Sequence, residues 1–476
     1  MVVFGRKWWQ LAALLFFLQQ TGQANTIALP QLQALPVTGQ PAAGQQAALE
    51  QAFARGSLDE ALVPARALVE ALSGDRRLGS IARYNLAVLQ LHGGDRDAAI
   101  DNLQQVVEAL RASGNFRDPR LAPPLAALGA AYFLAEDYPA AIEHIEQANF
   151  ITRTDKGLES LEQTYQDEML LTSLVKTGRL EAATDRLEAS LTIHRQALRG
   201  GPELEQALAG AARWYRLLEL PDRESRLHEE RLEILTAELG SEHPDLVPVY
   251  YDLAGSYSRR MHRDLEKLRD IKAAERNVSY SFVRSDQVRR SLSSDFDSGL
   301  DNRSLLDAEW KAVRSLKLAL RIQESQAEPD HQAIADTYVR LGDHYQLIGS
   351  HRKARRYYQR AYDLLKENRA DQRLAELFGA PIPIYQRPMK VPPTNDPTLL
   401  SAYNGEVELL LDINSRGEPR NIELLEVRPE QATELGDRAL RYSRDTLFRP
   451  LLTDNGIETA ERVRYIYRFR PAVDGS

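Results

Sequence analysis

The 476-residue chain contains no cysteine. That absence excludes disulfides, thiolate zinc sites, iron–sulfur clusters, a cysteine nucleophile and an acylated lipoprotein anchor. Positive charge is also in short supply: 60 Lys+Arg against 68 Asp+Glu leave a formal net charge of -8, with a pI near 5.7. A general nucleic-acid binder needs the opposite balance, because surplus cations displace phosphate counterions. Beyond the N-terminus no stretch is apolar enough to read as a membrane span. The chain also lacks G-x-x-x-x-G-K-[ST], G-x-S-x-G and dinucleotide fingerprints. What is there, 43% hydrophobic and 27% charged residues, is the composition of a folded protein.

The N-terminus has the layout of a secretory signal peptide. Arg6 and Lys7 precede an apolar run from Leu11 to Leu18, and Gly22-Gln23-Ala24 places small residues at positions −3 and −1. The run is roughly 11 residues, against the ~20 of a spanning helix. Cleavage after Ala24 implies export, to the periplasm in a Gram-negative cell, with at most peripheral membrane association. Retention of residues 6–24 implies an inner-membrane anchor. Residues 25–45, rich in Gln, Ala, Pro and Gly, read as a flexible leader.

From 46 to 370 apolar residues recur every three or four positions, the helical period. A repeat is visible within it. Its clearest copy is Leu341-Gly342-x-x-Tyr345-x-x-x-Gly349-x-x-x-x-Ala354-x-x-x-Tyr358-x-x-Ala361. The spacing recurs at Leu128, Gly129, Tyr132, Ala141, Ile145 and Ala148, at Leu86, Ala87, Gly94, Ala99 and Leu103, and at Leu170, Gly178, Ala183 and Leu187. A weaker copy covers 207–239, and a split one joins Leu253, Ala254 and Tyr257 to Ala312, Leu316 and Ala319 across an insertion at 261–306. The insertion reads as a charged helix, Asp264 to Arg276, followed by a Ser/Asp-rich loop. Small residues let two antiparallel helices approach, large ones fill the space between pairs, and the central Gly ends the first helix.

These units resemble the tetratricopeptide repeat (TPR) family. The resemblance implies an α-solenoid in which the first helix of each pair lines a concave groove. On that register the groove residues are Ile81, Tyr84, Asn85, Val88, Phe133, Tyr165, Glu168, Tyr251, Asp252, Asp336 and Asp343. A groove mixing aromatics and acids implies an apolar or basic peptide as partner; packing between repeats accounts for some of the same residues equally well. The basic run His351-Arg352-Lys353-Ala354-Arg355-Arg356 reads either as a solvated face or as a dock for an acidic partner or an anionic lipid surface.

After 370 the pattern changes. Six prolines between Pro381 and Pro397 read as an extended linker over 371–398. In 399–476 Val407, Leu409, Leu411 and Ile413 alternate, as do Val463, Tyr465, Tyr467 and Phe469, so both stretches read as strands. With a strand over Arg420–Val427 and a helix over Gln431–Leu447, the order is ββαβ, a small α+β domain. Gly405-x-Val407 with the Asp412–Gly417 turn, Leu447-Phe448-Arg449-Pro450, and a Gly456 loop before a strand ending in Phe469 resemble the C-terminal domain of the TonB energy transducers. That resemblance implies a periplasmic domain that adds a strand from an outer-membrane transporter to its sheet edge. It makes Arg462, Arg464, Tyr465, Tyr467, Arg468 and Phe469 the edge residues.

Catalytic signals are partial. Ser173-x-x-Lys176 and Lys176-Thr177-Gly178 share one lysine and the repeat's own glycine; His228-Glu229 has no second histidine four residues on. The reading is therefore a mostly helical, exported, non-enzymatic scaffold without catalytic residues, cofactor or metal, binding proteins or extended segments and associated with TonB-dependent transport. The alternatives are a membrane-tethered atypical TonB and a cell-envelope or peptidoglycan assembly factor.

Overall fold

The structure is a computed structural model describing residues 29–37, 39, 41–112, 114–281, 302–385, 406–428, 430 and 433–468; within 265–281, 302–304 and 433–434 only the backbone is described. The signal-like segment, Phe469 and most of the Ser/Asp-rich part of the insertion lie outside these residues. The chain divides into two compact units, one ending at Arg199 and one beginning at Gly200.

The first unit is a row of helix pairs: α1 (Ala42–Ala54) with α2 (Leu58–Ala71), α3 (Arg76–His92) with α4 (Arg96–Arg111), α5 (Ala122–Leu134) with α6 (Tyr138–Lys156), and α7 (Asp167–Lys176) with α8 (Leu180–Leu198). In the first three pairs the second helix also packs on the first helix of the next pair, so burial runs from neighbour to neighbour. Asp75 starts α3 by accepting the backbone N–H groups of Arg77 and Leu78 at 2.9 Å. Gly94 turns the chain from α3 into α4 at φ +83°, a conformation that disfavours a Cβ. Gly129 sits where a Cβ would run into Ile145 of the paired helix. The pair α1/α2 precedes the repeats named above, and Gly56, Ala61, Ala65 and Leu68 carry the same pattern there.

Residues 29–37 correct the expectation of a flexible leader. They lie against the unit, with Leu35 buried in one cluster with Leu49, Ala52, Leu86 and Leu89, and the Val37 N–H turns back onto the Leu35 carbonyl at 2.8 Å. Their composition suggests looseness, but two leucines and four hydrogen bonds from α3 to their backbone fix them.

The second unit continues the pattern with α9 (Gly201–Leu217) and α10 (Pro221–Leu239), α11 (Leu246–Ser281) and α12 (Asn302–Glu324), and α13 (His331–Leu347) and α14 (His351–Glu367). The charged helix expected at 264–276 is the continuation of α11, not a separate element. Part of the expected linker is ordered as well. The short helix α15 (Asp371–Phe378) caps the last pair by setting Phe378 edge-on to Tyr358 and Tyr362, and β1 (Ile382–Tyr385) pairs antiparallel with β4 (Leu447–Arg449).

A three-stranded antiparallel sheet follows, built from β2 (Glu406–Ile413), β3 (Pro419–Arg428) and β7 (Ala460–Arg468) in the order β3-β2-β7. Its inner face, Val407, Leu409, Leu411, Ile413, Tyr465 and Tyr467, packs on Leu435 and Ala439 of α16 (Thr433–Ser443). The helix expected to reach Leu447 ends at Ser443. Leu447 instead opens β4, because its backbone has a partner in β1 far upstream that local periodicity does not reveal. A hairpin of β5 (Leu451–Thr453) and β6 (Gly456–Glu458) inserts Leu452 into the core of the last helix pair, beside Tyr358, Tyr362 and Leu365. The hairpin thus joins the core of the last helix pair, while the three-stranded sheet keeps a core of its own.

Candidate functional site

The groove residues fall into two groups, one in each unit. In the first, Tyr84 and Asn85 of α3 are both buried, and both are engaged by the chain's own residues 29–37. Asn85 donates from Nδ2 to the Gln33 carbonyl at 2.9 Å and accepts the Gln33 N–H on Oδ1 at 2.7 Å. The Tyr84 hydroxyl donates to the Gln31 carbonyl at 3.2 Å, and burial pushes its pKa up to about 12, so it stays a donor. His92 reaches the Pro30 carbonyl through Nε2 at 3.1 Å.

Phe133, read as a groove residue, is a core residue packed edge-on to Tyr138, 6.0 Å between ring centres. Tyr165 remains exposed, at 63% of its surface. Glu168 is half-buried, and its neighbour Asp167 is the buried acid. Burial raises the Asp167 carboxyl while Arg186, at 2.7 Å, opposes that shift.

In the second unit the acids of the register are already paired. Asp252 meets Arg216 and Arg231, each at 3.3 Å. Asp336 meets Arg373 at 2.8 Å. Asp343 takes the fork of Arg449 at 3.0 and 2.7 Å and the Tyr358 hydroxyl at 2.8 Å. Tyr251 bonds to Thr337 and Gln323, with the Arg340 guanidinium 4.3 Å over its ring. As free peptide contacts, Tyr251, Asp252 and Asp343 are therefore corrected to bonds between neighbouring elements. The arginines that neutralise them come from other helices or from the sheet, so the sequence shows the acids without their partners.

The sheet edge also divides. Tyr465 and Tyr467 point into the core, the former edge-on to Phe448 at 5.3 Å. Their reading as partner contacts is corrected, since the inner face packs on α16. Arg464 and Arg468 lie exposed on the other face, paired across the ladder with Glu408 at 3.2 Å and Glu406 at 2.9 Å. Ile466 lies between them, 46% exposed. Arg462 sits at φ +51° where the β2–β7 register shifts, its N–H held by Asp412 at 2.8 Å. Among the described residues β7 is an outer strand, paired on one side with β2.

The basic run gains a setting. Arg352 and Arg355 of α14 and Arg416 of the β2–β3 turn line one cleft of about 410 Å³ together with His351 and Gln346. None of the three arginines makes an ion pair among the described residues. No acidic residue lines the cleft. Sequence alone shows the run but not Arg416, which the fold brings to it.

Among the described residues no group of three or more His, Asp or Glu could hold a metal ion, and no helix is long and apolar enough to cross a membrane. No curated protein matches the chain. Solved structures that resemble it include TPR-like repeats of a kinesin light chain from Podospora anserina (19% identity, 42% of this chain and 99% of that one, TM-score 0.38). A TPR repeat-containing protein from Cytophaga hutchinsonii is also similar (10% identity, 69% and 93%, TM-score 0.35). So is the yeast Sti1 TPR2AB domain, solved with an HSP90 peptide (13% identity, 71% and 99%, TM-score 0.23). Residues 311–367, the C-terminal part of α12 and the whole of α13/α14, match the tetratricopeptide repeat family.

Proposed function

We propose that the chain is an exported, non-enzymatic interaction scaffold whose sheet extends its edge to a partner strand. The observation that carries this reading is β7. Among the described residues it is an outer strand of an antiparallel sheet, its inward residues complete the core, and its outward residues Arg464, Ile466 and Arg468 stay exposed. An added strand finds backbone hydrogen bonds along that edge and a cationic, partly apolar outer face. This is the binding mode of the TonB C-terminal domain that the sequence resembles, and it makes a periplasmic segment of an outer-membrane transporter the partner. The repeats present the domain and offer the cationic cleft to an acidic segment.

The test uses the full chain in cells, with a photo-crosslinking residue at Ile466. A crosslink to a transporter supports the reading. Crosslinks to other envelope proteins alone remove the transport link, and none from β7 removes strand addition. Sequencing the mature N-terminus tests export: a chain starting at Asn25 excludes the tethered alternative.

A further inference from the structure

We propose that residues 29–37 are the resident occupant of a peptide site on α3, and that the site's external ligand is an extended polypeptide carrying two leucines three residues apart. This rests on the scaffold reading and adds where such a segment is held and what keeps the site closed.

The polar contacts address backbone alone. Asn85, 1% exposed, spends both halves of its amide on the N–H and C=O of residue 33, as a neighbouring strand would. Tyr84 and His92 reach the carbonyls of residues 31 and 30. None of the three touches a side chain of the segment in doing so, and any extended chain offers the same groups.

Selectivity comes from apolar seats for Leu32, Leu35 and Val37. Leu35 is 6% exposed in the cluster of α1, α2 and α3, and Leu32 packs against both that cluster and the next one, formed with α4 and α5. Gln31, Ala34 and Pro36 between and beside them are exposed. A ligand is thus constrained at the three apolar positions and free at the exposed ones.

Every hydrogen bond to the segment from the helices comes from α3, the first member of its pair, and the apolar seats draw on both helices of the first two pairs. It precedes the first described helix and is joined to α1 by residues 38–41, so its release would be a local opening. A tethered occupant competes at an effective concentration on the order of millimolar. An external peptide must outcompete it, which makes the segment a threshold on partner binding.

The test is a fluorescence-anisotropy titration with a labelled peptide of residues 28–39. It uses the full wild-type chain, the full chain with Leu32→Ser and Leu35→Ser, and that chain with Asn85→Ala added. Circular dichroism confirms that helicity is kept. The released chain is expected to bind the peptide at least ~10-fold more tightly than wild type, with Asn85→Ala reversing the gain. A peptide in which both leucines are serine is expected not to bind. Absence of binding to the released chain, or equal binding to wild type, overturns the proposal.

Should the serine variants unfold, hydrogen exchange on the wild type decides. Exchange of the 29–37 amides well ahead of those of α3 supports release; exchange only with global unfolding makes the segment a fixed part of the fold and overturns it. Neither result bears on β7, whose crosslinks test the scaffold reading separately.

Discussion

Arg449 of β4 holds both carboxylate oxygens of Asp343 in α13, Nε at 3.0 Å and Nη2 at 2.7 Å. Its remaining Nη1 donates to the Leu377 carbonyl at 3.1 Å, and the Tyr358 hydroxyl donates to the same Asp343 at 2.8 Å. Burial raises the Tyr358 pKa far above its ordinary value, so the phenol remains a donor. One guanidinium therefore ties β4 to α13 and α15. Arg449→Ala leaves Asp343 partly buried without its cation, and the expected loss is about 3 kcal/mol in urea unfolding. Arg449→Lys recovers little, because a lysine keeps the charge and loses the fork. A loss under ~0.5 kcal/mol for Arg449→Ala would assign the docking to Leu452 and its apolar neighbours instead.

A second buried network is centred on Glu224, which has no exposed surface. Burial alone raises its carboxyl; His228, Arg259 and Arg216 together bring it below the usual carboxylate range. Arg216 lies at 2.8 Å and Arg259 at 2.6 Å. Glu224→Gln keeps the shape and removes the charge that compensates two guanidiniums. The expected loss is about 3 kcal/mol, since Arg216 retains Asp252. Thermal unfolding measures it, and an unchanged midpoint would show that solvent reaches the arginines.

Two glycines inside helices have opposite expectations. At Gly342 a Cβ would run into the ring of Tyr358, which is buried and anchored through its hydroxyl to Asp343. Gly342→Ala is expected to destabilise by about 2 kcal/mol through overpacking. At Gly210 of α9 the nearest atom to a Cβ is the tip of Arg213, 3.8 Å away. Gly210→Ala is expected to stabilise by up to ~1 kcal/mol, the helix-propensity difference. Denaturant midpoints of the two variants should move in opposite directions.

That contrast shows what was legible in the sequence. Gly342 and Tyr358 stand in neighbouring helices at a fixed spacing, so their fit is written locally, as is the alternation that marks β2 and β7. The partners of Asp252, Asp336 and Asp343 are not: Arg216, Arg373 and Arg449 lie 36, 37 and 106 residues away. Residues 29–37 look loose by composition because their order comes from Asn85 and Tyr84, more than 50 residues on. For Tyr465 and Tyr467 the strand period was correct but left open which face packs on α16.

His344 provides the pH-dependent readout. It is 2% exposed between α13 and α11, with Nδ1 2.9 Å from the Ser258 hydroxyl. Burial, with Lys353 adding to it, lowers its pKa from 6.5 to about 4. A histidine with a depressed folded pKa takes up its proton first in the unfolded chain. Its contribution to stability is therefore complete above pH ~6.5 and is lost as pH falls toward ~4, for a total of about 3 kcal/mol. His344→Gln retains an amide for Ser258 and does not titrate. Urea unfolding at pH 7, 5.5 and 4.5 should show a smaller acid loss in the variant than in wild type, the carboxylates common to both cancelling in the difference. Parallel pH profiles would mean that His344 is protonated in the folded chain as readily as in the unfolded one, and that α11 and α13 open locally at this point.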